Sequence, residues 1–139
     1  MPTIHSKYLG QLRVEATHVN SQVKLVTDAP LDNNGLGRSF SPTDLVCAAL
    51  GNCMITLMGM VAERENIDLT SVTFETTKIM ASHPRKISEI HIDFNMKKVI
   101  LTEPQQKKLE NAAKTCPVSL SLDPAIKQIV RFEYDMLKN

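Results

Sequence analysis

Tryptophan is absent from this chain, and aromatic residues make up only 4% of its 139 positions. A core at this length therefore cannot be organised around large rings. It must be packed from Leu, Ile, Val, Ala and Met, and the seven Met residues suit irregular gaps between elements. Dense runs of Lys or Arg are also missing. The formal net charge is +1 with the charges dispersed, so no nucleic-acid partner is expected. The first stretch, MPTIHSKYLGQLRVEATH, has no basic region leading into an apolar one, and no secretory signal is read there. An odd number of cysteines, three, argues against a static disulfide framework and for reduced thiols in a cytoplasm. There is no Walker loop and no Gly-x-Ser-x-Gly elbow, and the G-x-G in GLGRSF does not join a strand to a helix at dinucleotide-binding spacing. His5, His18, His83 and His91 are scattered without metal-ligand spacing. Neither a metal nor a cofactor is expected.

What is present is an ordinary globular balance, 42% hydrophobic and 22% charged, at a length that suits one domain over residues 1–139 with a real core. Residues 4–18 and 21–27 read as strands with a turn at Asn20-Ser21. DAPLDNNGLGRS, residues 28–39, is a polar loop long enough to suggest a functional or dimer-contact role. Ser41, Pro42 and Asp44 form a capping-box variant at the start of a helix that should run to about Glu65 or Asn66. Residues 70–80 and 87–97 form a hairpin around SHPRK, with Ile90, Ile92, Phe94 and Met96 on one face and His91, Asp93 and Asn95 on the other. Thr102 caps a second helix, with Pro104 in its first turn and Gln105 at the third position, ending before Pro117. CPVSLSLDP suggests one more helical turn. A last strand over 127–136 sets Val130, Phe132, Tyr134 and Met136 against Gln128, Arg131, Glu133 and Asp135. The order predicts an α+β fold with antiparallel sheet.

The stretch SPTDLVCAALGNCMITLMGMVA is the least ordinary. Residues 45–62 are at the short edge of what spans a bilayer, and they are interrupted by Gly51, Asn52, Thr56 and Gly59 and closed by Asp44 and Glu63-Arg64. A core helix is the better reading, with no membrane partner. It is apolar on every face, which one small sheet cannot cover, so an obligate dimer is expected.

Its thiols differ. Cys47 and Cys53 are about 120° apart around the helix and about 9 Å apart along it, too far for a disulfide within it. Cys47 reads as a small buried hydrophobe. Cys53 shares an apolar stripe with Val46, Ala49, Leu50, Thr56, Leu57 and Met60. It is either a packed core thiol or a reactive one held by a nearby cation. Cys116 stands before Pro117 at or near the cap of a new turn, where backbone N–H groups favour a thiolate; it is either reactive or a helix-junction filler.

FSPTDLVCAALGNCMITLMGMVAERENIDL, HPRKISEIHIDF and LENAAKTCPVSLSL, in that order, resemble the OsmC/Ohr family (osmotically inducible protein C and organic hydroperoxide resistance proteins) over about residues 35–123. The helix start is closer to the general OsmC-like branch. The resemblance implies an intertwined homodimer, with antiparallel sheets around two long central helices. It implies a thiol-dependent peroxidase for organic hydroperoxides, with Cys53 in the place of the attacking cysteine and Cys116 in that of the resolving one, recycled by a small or protein-borne dithiol in oxidative or osmotic stress defence. An Arg and a carboxylate complete such a site, partly across the dimer: Arg38 is the first choice of cation and Arg13 the second. The peroxidase branches begin this helix Asn-Pro-Glu. Here Thr43 takes the Glu place, and Asp44 lies about 180° round the helix from Cys53 and about 13 Å away, so it acts by steering an Arg or across the dimer. Two other readings stand beside this one: a non-catalytic dimeric module holding a small apolar or electrophilic ligand, and a stress-induced structural dimer with vestigial cysteines.

Overall fold

The structure, a computed structural model, describes residues 1–135; Met136, expected to close the last strand, lies outside the described residues. The chain divides into two compact units, Met1–Val46 and Cys47–Asn139.

The first unit is an antiparallel sheet in the order β1-β2-β3, with β1 Ile4–Gly10, β2 Arg13–His18 and β3 Lys24–Asp28. The expected single strand over 4–18 is thus two strands. The chain reverses at Gln11-Leu12, both at positive φ (55° and 63°), the conformation of the two-residue hairpin turn whose twist matches that of the strands. Nothing in Gln-Leu announces such a turn, which usually carries Asn or Gly. A 3-10 turn at Leu31–Asn33 and a loop lead to the helix start.

Helix α1, Pro42–Arg64, begins in this unit and runs on into the second. Its cap forms as expected: the Asp44 N–H donates to Ser41 Oγ (3.0 Å) and the Ser41 N–H donates back to Asp44 Oδ2 (2.9 Å). Its end is set by Asn66 at φ 57°, with the Ile67 N–H reaching the Ala62 carbonyl (2.8 Å) and the Asn66 N–H that of Glu63 (3.4 Å). That is the double bond of a Schellman stop, with Asn in the left-handed position.

The second unit places helices on one face of a three-stranded sheet ordered β4-β5-β6, with β4 Thr73–Ala81, β5 Lys86–Asn95 and β6 Lys127–Glu133. Ile90, Ile92, Phe94 and Met96 are all at most 1% exposed, as their alternation requires. Ile87 keeps to the same face despite its odd separation, because Ser88 is bulged between the pairs Ile79↔Glu89 and Met80↔Ile87. Three of the four Phe residues make one row across the sheet, Phe74–Phe94 at 5.0 Å and Phe94–Phe132 at 5.2 Å between centroids. Strand β6 lies parallel to β5, the one pair among the described residues that departs from the antiparallel pattern. A parallel neighbour needs a long crossover, and α2 (Glu103–Lys114) with α3 (Pro117–Ser121) supplies it. Thr102 caps α2 through a complete capping box with Gln105.

The core joins Cys47, Leu50, Met54, Met58 and Ala62 of α1 to the sheet and to Leu109, Ala113 and Cys116. The opposite side of α1 is open, with Val46 36% and Met60 52% exposed. Of the seven residues of the stripe the sequence singles out, Val46, Ala49, Thr56 and Met60 are exposed.

Candidate functional site

In the second unit, α1 presents Cys53 half-buried, while the junction between α2 and α3 presents Cys116 fully buried. The fold brings these distant positions near one another: Cys53 lies close enough to the Cys116 thiol to act on its charge, and both are free thiols. Cys116 holds its place as the N-cap of α3, its Sγ accepting the Ser119 N–H at 3.3 Å with Pro117 in the first helical position. Burial pushes the Cys116 thiol above its ordinary value; the N–H groups of Ser119 and Val118 act against this, and the neighbouring Cys53 adds to it. The expectation that the cap favours a thiolate is thus met in sign by those two bonds but outweighed by burial. On the α1 surface around Cys53, Ala49 and Thr56 are exposed and Leu57 is half-buried. The one hydroxyl of that stripe is committed to the helix, Thr56 Oγ1 donating to the Asn52 carbonyl at 2.7 Å. Cys47 is 2% exposed in the core, where a packing role places it.

In the first unit, Arg38 and Arg13 meet on a residue the sequence did not single out. Asp28, with its side chain fully buried, accepts both the backbone N–H (3.0 Å) and the Nε–H (2.9 Å) of Arg38 on Oδ2, with Arg13 Nε at 3.9 Å. These bonds to Arg38, aided by the charges of both arginines, hold the Asp28 carboxyl below its usual value against the opposing cost of burial. Its other oxygen, Oδ1, has no hydrogen-bond partner among the described residues. Asp28 ends β3 within TDAP, which reads as ordinary turn chemistry, and charge pairing across ten positions leaves no local signal. Asp44 closes the start of α1, its Oδ2 accepting the Ser41 N–H at 2.9 Å. Among the described residues, no three His, Cys, Asp or Glu side chains gather as a metal site requires.

Residues 34–130 match the family model described as OsmC-like protein. A solved protein from Psychrobacter arcticus 273-4, provisionally assigned as an osmotic stress induced and detoxification response protein, is 42% identical over 96% of each chain, with a TM-score of 0.90. An OsmC-like protein from Mycoplasma pneumoniae shares the fold at 16% identity, over 95% of each chain, with a TM-score of 0.77. An organic hydroperoxide resistance protein from Legionella pneumophila shares it at 20% identity, covering 96% of this chain and 98% of its own, with a TM-score of 0.71. No curated protein sequence matches at a significant level.

Proposed function

Since this chain belongs to the OsmC-like protein family, we propose that it is a thiol-based reductase of organic hydroperoxides acting in oxidative or osmotic stress defence. The supporting observation is the nearness of Cys53 and Cys116 as free thiols, one partly accessible and one buried. The Cys53 thiolate attacks the hydroperoxide and breaks its O–O bond; one oxygen stays on sulfur as a sulfenic acid, and the other leaves as the alcohol with a proton. The Cys116 thiol then displaces that oxygen as water, forming the Cys53–Cys116 disulfide. A dithiol of small-molecule or protein origin restores both thiols by exchange.

Burial fits Cys116 to the resolving role: a thiol whose proton is held tightly and which no bulky substrate reaches is a poor first nucleophile. The apolar α1 surface beside Cys53 favours alkyl and lipid hydroperoxides over hydrogen peroxide. The protein works as a homodimer in a reducing cytoplasm, and Arg38, oriented by Asp28, supplies the positive charge to the Cys53 thiolate in the assembled dimer, with Arg13 as its alternative. Asp44, held at the helix start by its bond from the Ser41 N–H, steers an Arg or acts across the dimer.

The test is incubation with one equivalent of cumene hydroperoxide, read by intact mass and thiol count. The expected product has lost two thiols and two hydrogens, and Cys53→Ser should consume no hydroperoxide. Unmodified thiols in the wild type, or undiminished turnover in Cys53→Ser, would sink the reading. One observation favours the ligand-binding alternative: the N–H and Nε–H of Arg38 are already engaged by Asp28. A co-purifying apolar ligand with no hydroperoxide consumption would establish it.

A further inference from the structure

Cys116 can meet Cys53 only if the short helix it caps stays in place, and α3 is a single turn, Pro117–Ser121. So short a helix has almost no stability of its own. Apolar contacts of Val118 and Leu122 with the core hold its sides. Its polar anchor is in β6. Ser119 Oγ–H donates to Gln128 Oε1 at 2.5 Å, and Gln128 Nε2–H donates to the Ser119 carbonyl at 3.1 Å. One carboxamide thus grips one residue through two bonds of opposite sense. That pattern admits a single orientation of the amide, since the flipped group would set oxygen against oxygen. The gripped residue is the one whose backbone N–H donates to Cys116 Sγ. Gln128 is itself fixed by strand pairing, opposite Ile90 in the parallel β5–β6 ladder.

We propose that Gln128 is a positioning residue for the resolving step: through Ser119 it holds the α3 turn so that Cys116 Sγ stays within reach of Cys53. The proposal rests on the Cys53/Cys116 reading for its biological meaning, but not for its test. The step it serves is Cys53–SOH plus Cys116–SH giving the disulfide and water. Without the grip, the buried thiol spends less time near its target, so the sulfenic acid lives longer and meets a second hydroperoxide, which carries it to the sulfinic acid. Side-chain bonds of this kind also raise the effective concentration of one thiol at the other, which is an equilibrium property of the dithiol.

Two measurements separate the ideas. First, wild type, Gln128→Ala and the milder Ser119→Ala are equilibrated with glutathione and glutathione disulfide, and the Cys53–Cys116 disulfide is quantified after acid quench. The disulfide equilibrium constant should fall about tenfold in Gln128→Ala, as expected for two lost hydrogen bonds, and less in Ser119→Ala. Alkylation of Cys53 by iodoacetamide should keep its wild-type rate and pH profile, which a merely loosened fold would not allow. Second, the same proteins receive a fivefold excess of cumene hydroperoxide. The wild type should end as disulfide and Gln128→Ala largely as Cys53 sulfinic acid, at an unchanged rate of first consumption. Unchanged disulfide constants in both variants would overturn the proposal. A fall in the constant with no reaction toward hydroperoxide would support the grip while overturning the peroxidase reading.

Discussion

A thiol and a carboxylate, each fully buried, carry the clearest single-residue consequences. Cys116 has its proton affinity raised by burial in the fold, so the folded protein holds that proton more tightly than the unfolded chain. The corresponding stability is complete below the ordinary thiol value of 9.0 and is lost as pH climbs through and past it. Thermal melts from pH 8 to 10.5 should show this alkaline decline in the wild type, and Cys116→Ser, which keeps a capping acceptor but does not titrate there, should flatten it. Asp28 has the opposite sign. Its carboxyl is held low by Arg38 first and then by the charges of both arginines, so its contribution is present above the ordinary 3.8 and is lost as pH falls through and below that value. Asp28→Asn should remove part of the acid limb of the stability curve between pH 5 and 2.5, whatever it does to stability at neutral pH. The sequence singles out Cys53, Cys116 and Arg38 because family pattern and local capping chemistry mark them as candidates. It left Asp28 and Gln128 unread because each acts on a partner that only the tertiary fold supplies.

At the scale of elements, the capping boxes of α1 and α2 were legible because they are local: three residues decide them. The strand alternation of β5 was legible for the same reason, with period two exposing its buried face. The Gln11-Leu12 turn and the parallel pairing of β6 were not. The first uses a positive-φ pair without its usual residues, and the second depends on which edge of β5 remains free once β4 has paired. Gly51 shows how close packing hides in a helix that looks uniformly apolar. A Cβ there would come within 2.7 Å of Phe74 Cε2, and that ring cannot give freely because it lies 5.0 Å from Phe94 in the row across the sheet. Gly51→Ala improves helix propensity by about 1 kcal/mol, but overpacking of a filled core costs about 1–3 kcal/mol. The net expectation is a destabilised protein, read as a lower urea midpoint at unchanged slope; a stabilised variant would mean that α1 and β4 separate more easily than their contact suggests.

For the whole molecule, the question raised by α1 is what covers its second side. By length and composition it is the one described helix that could cross a membrane, yet only 33% of its apolar window is buried in this chain. A lipid environment and a partner protein are both possible covers for such a surface. The polar side chain of Asn52 falls on the open side, where lipid would penalise its carboxamide and a protein interface would accommodate it. The first unit also leaves apolar side chains uncovered, Leu31 at 77%, Leu36 at 62% and Phe40 at 58% exposed, more than a solitary soluble chain usually shows as a group. A second copy is the simplest cover, because a two-fold interface brings the same surfaces from both chains. Sedimentation velocity should therefore find the wild type at twice the 15.5 kDa chain mass. Met60, at 52% exposed and outside the core, is the position to test it. A glutamate there leaves this chain's own core untouched but places a charge in the apolar contact, where an unpaired charge is strongly unfavourable. Met60→Glu should shift the protein toward monomer while keeping the far-ultraviolet dichroism of the fold. If the dimer survives that charge at its wild-type dissociation constant, the partner must sit elsewhere than on the open side of α1.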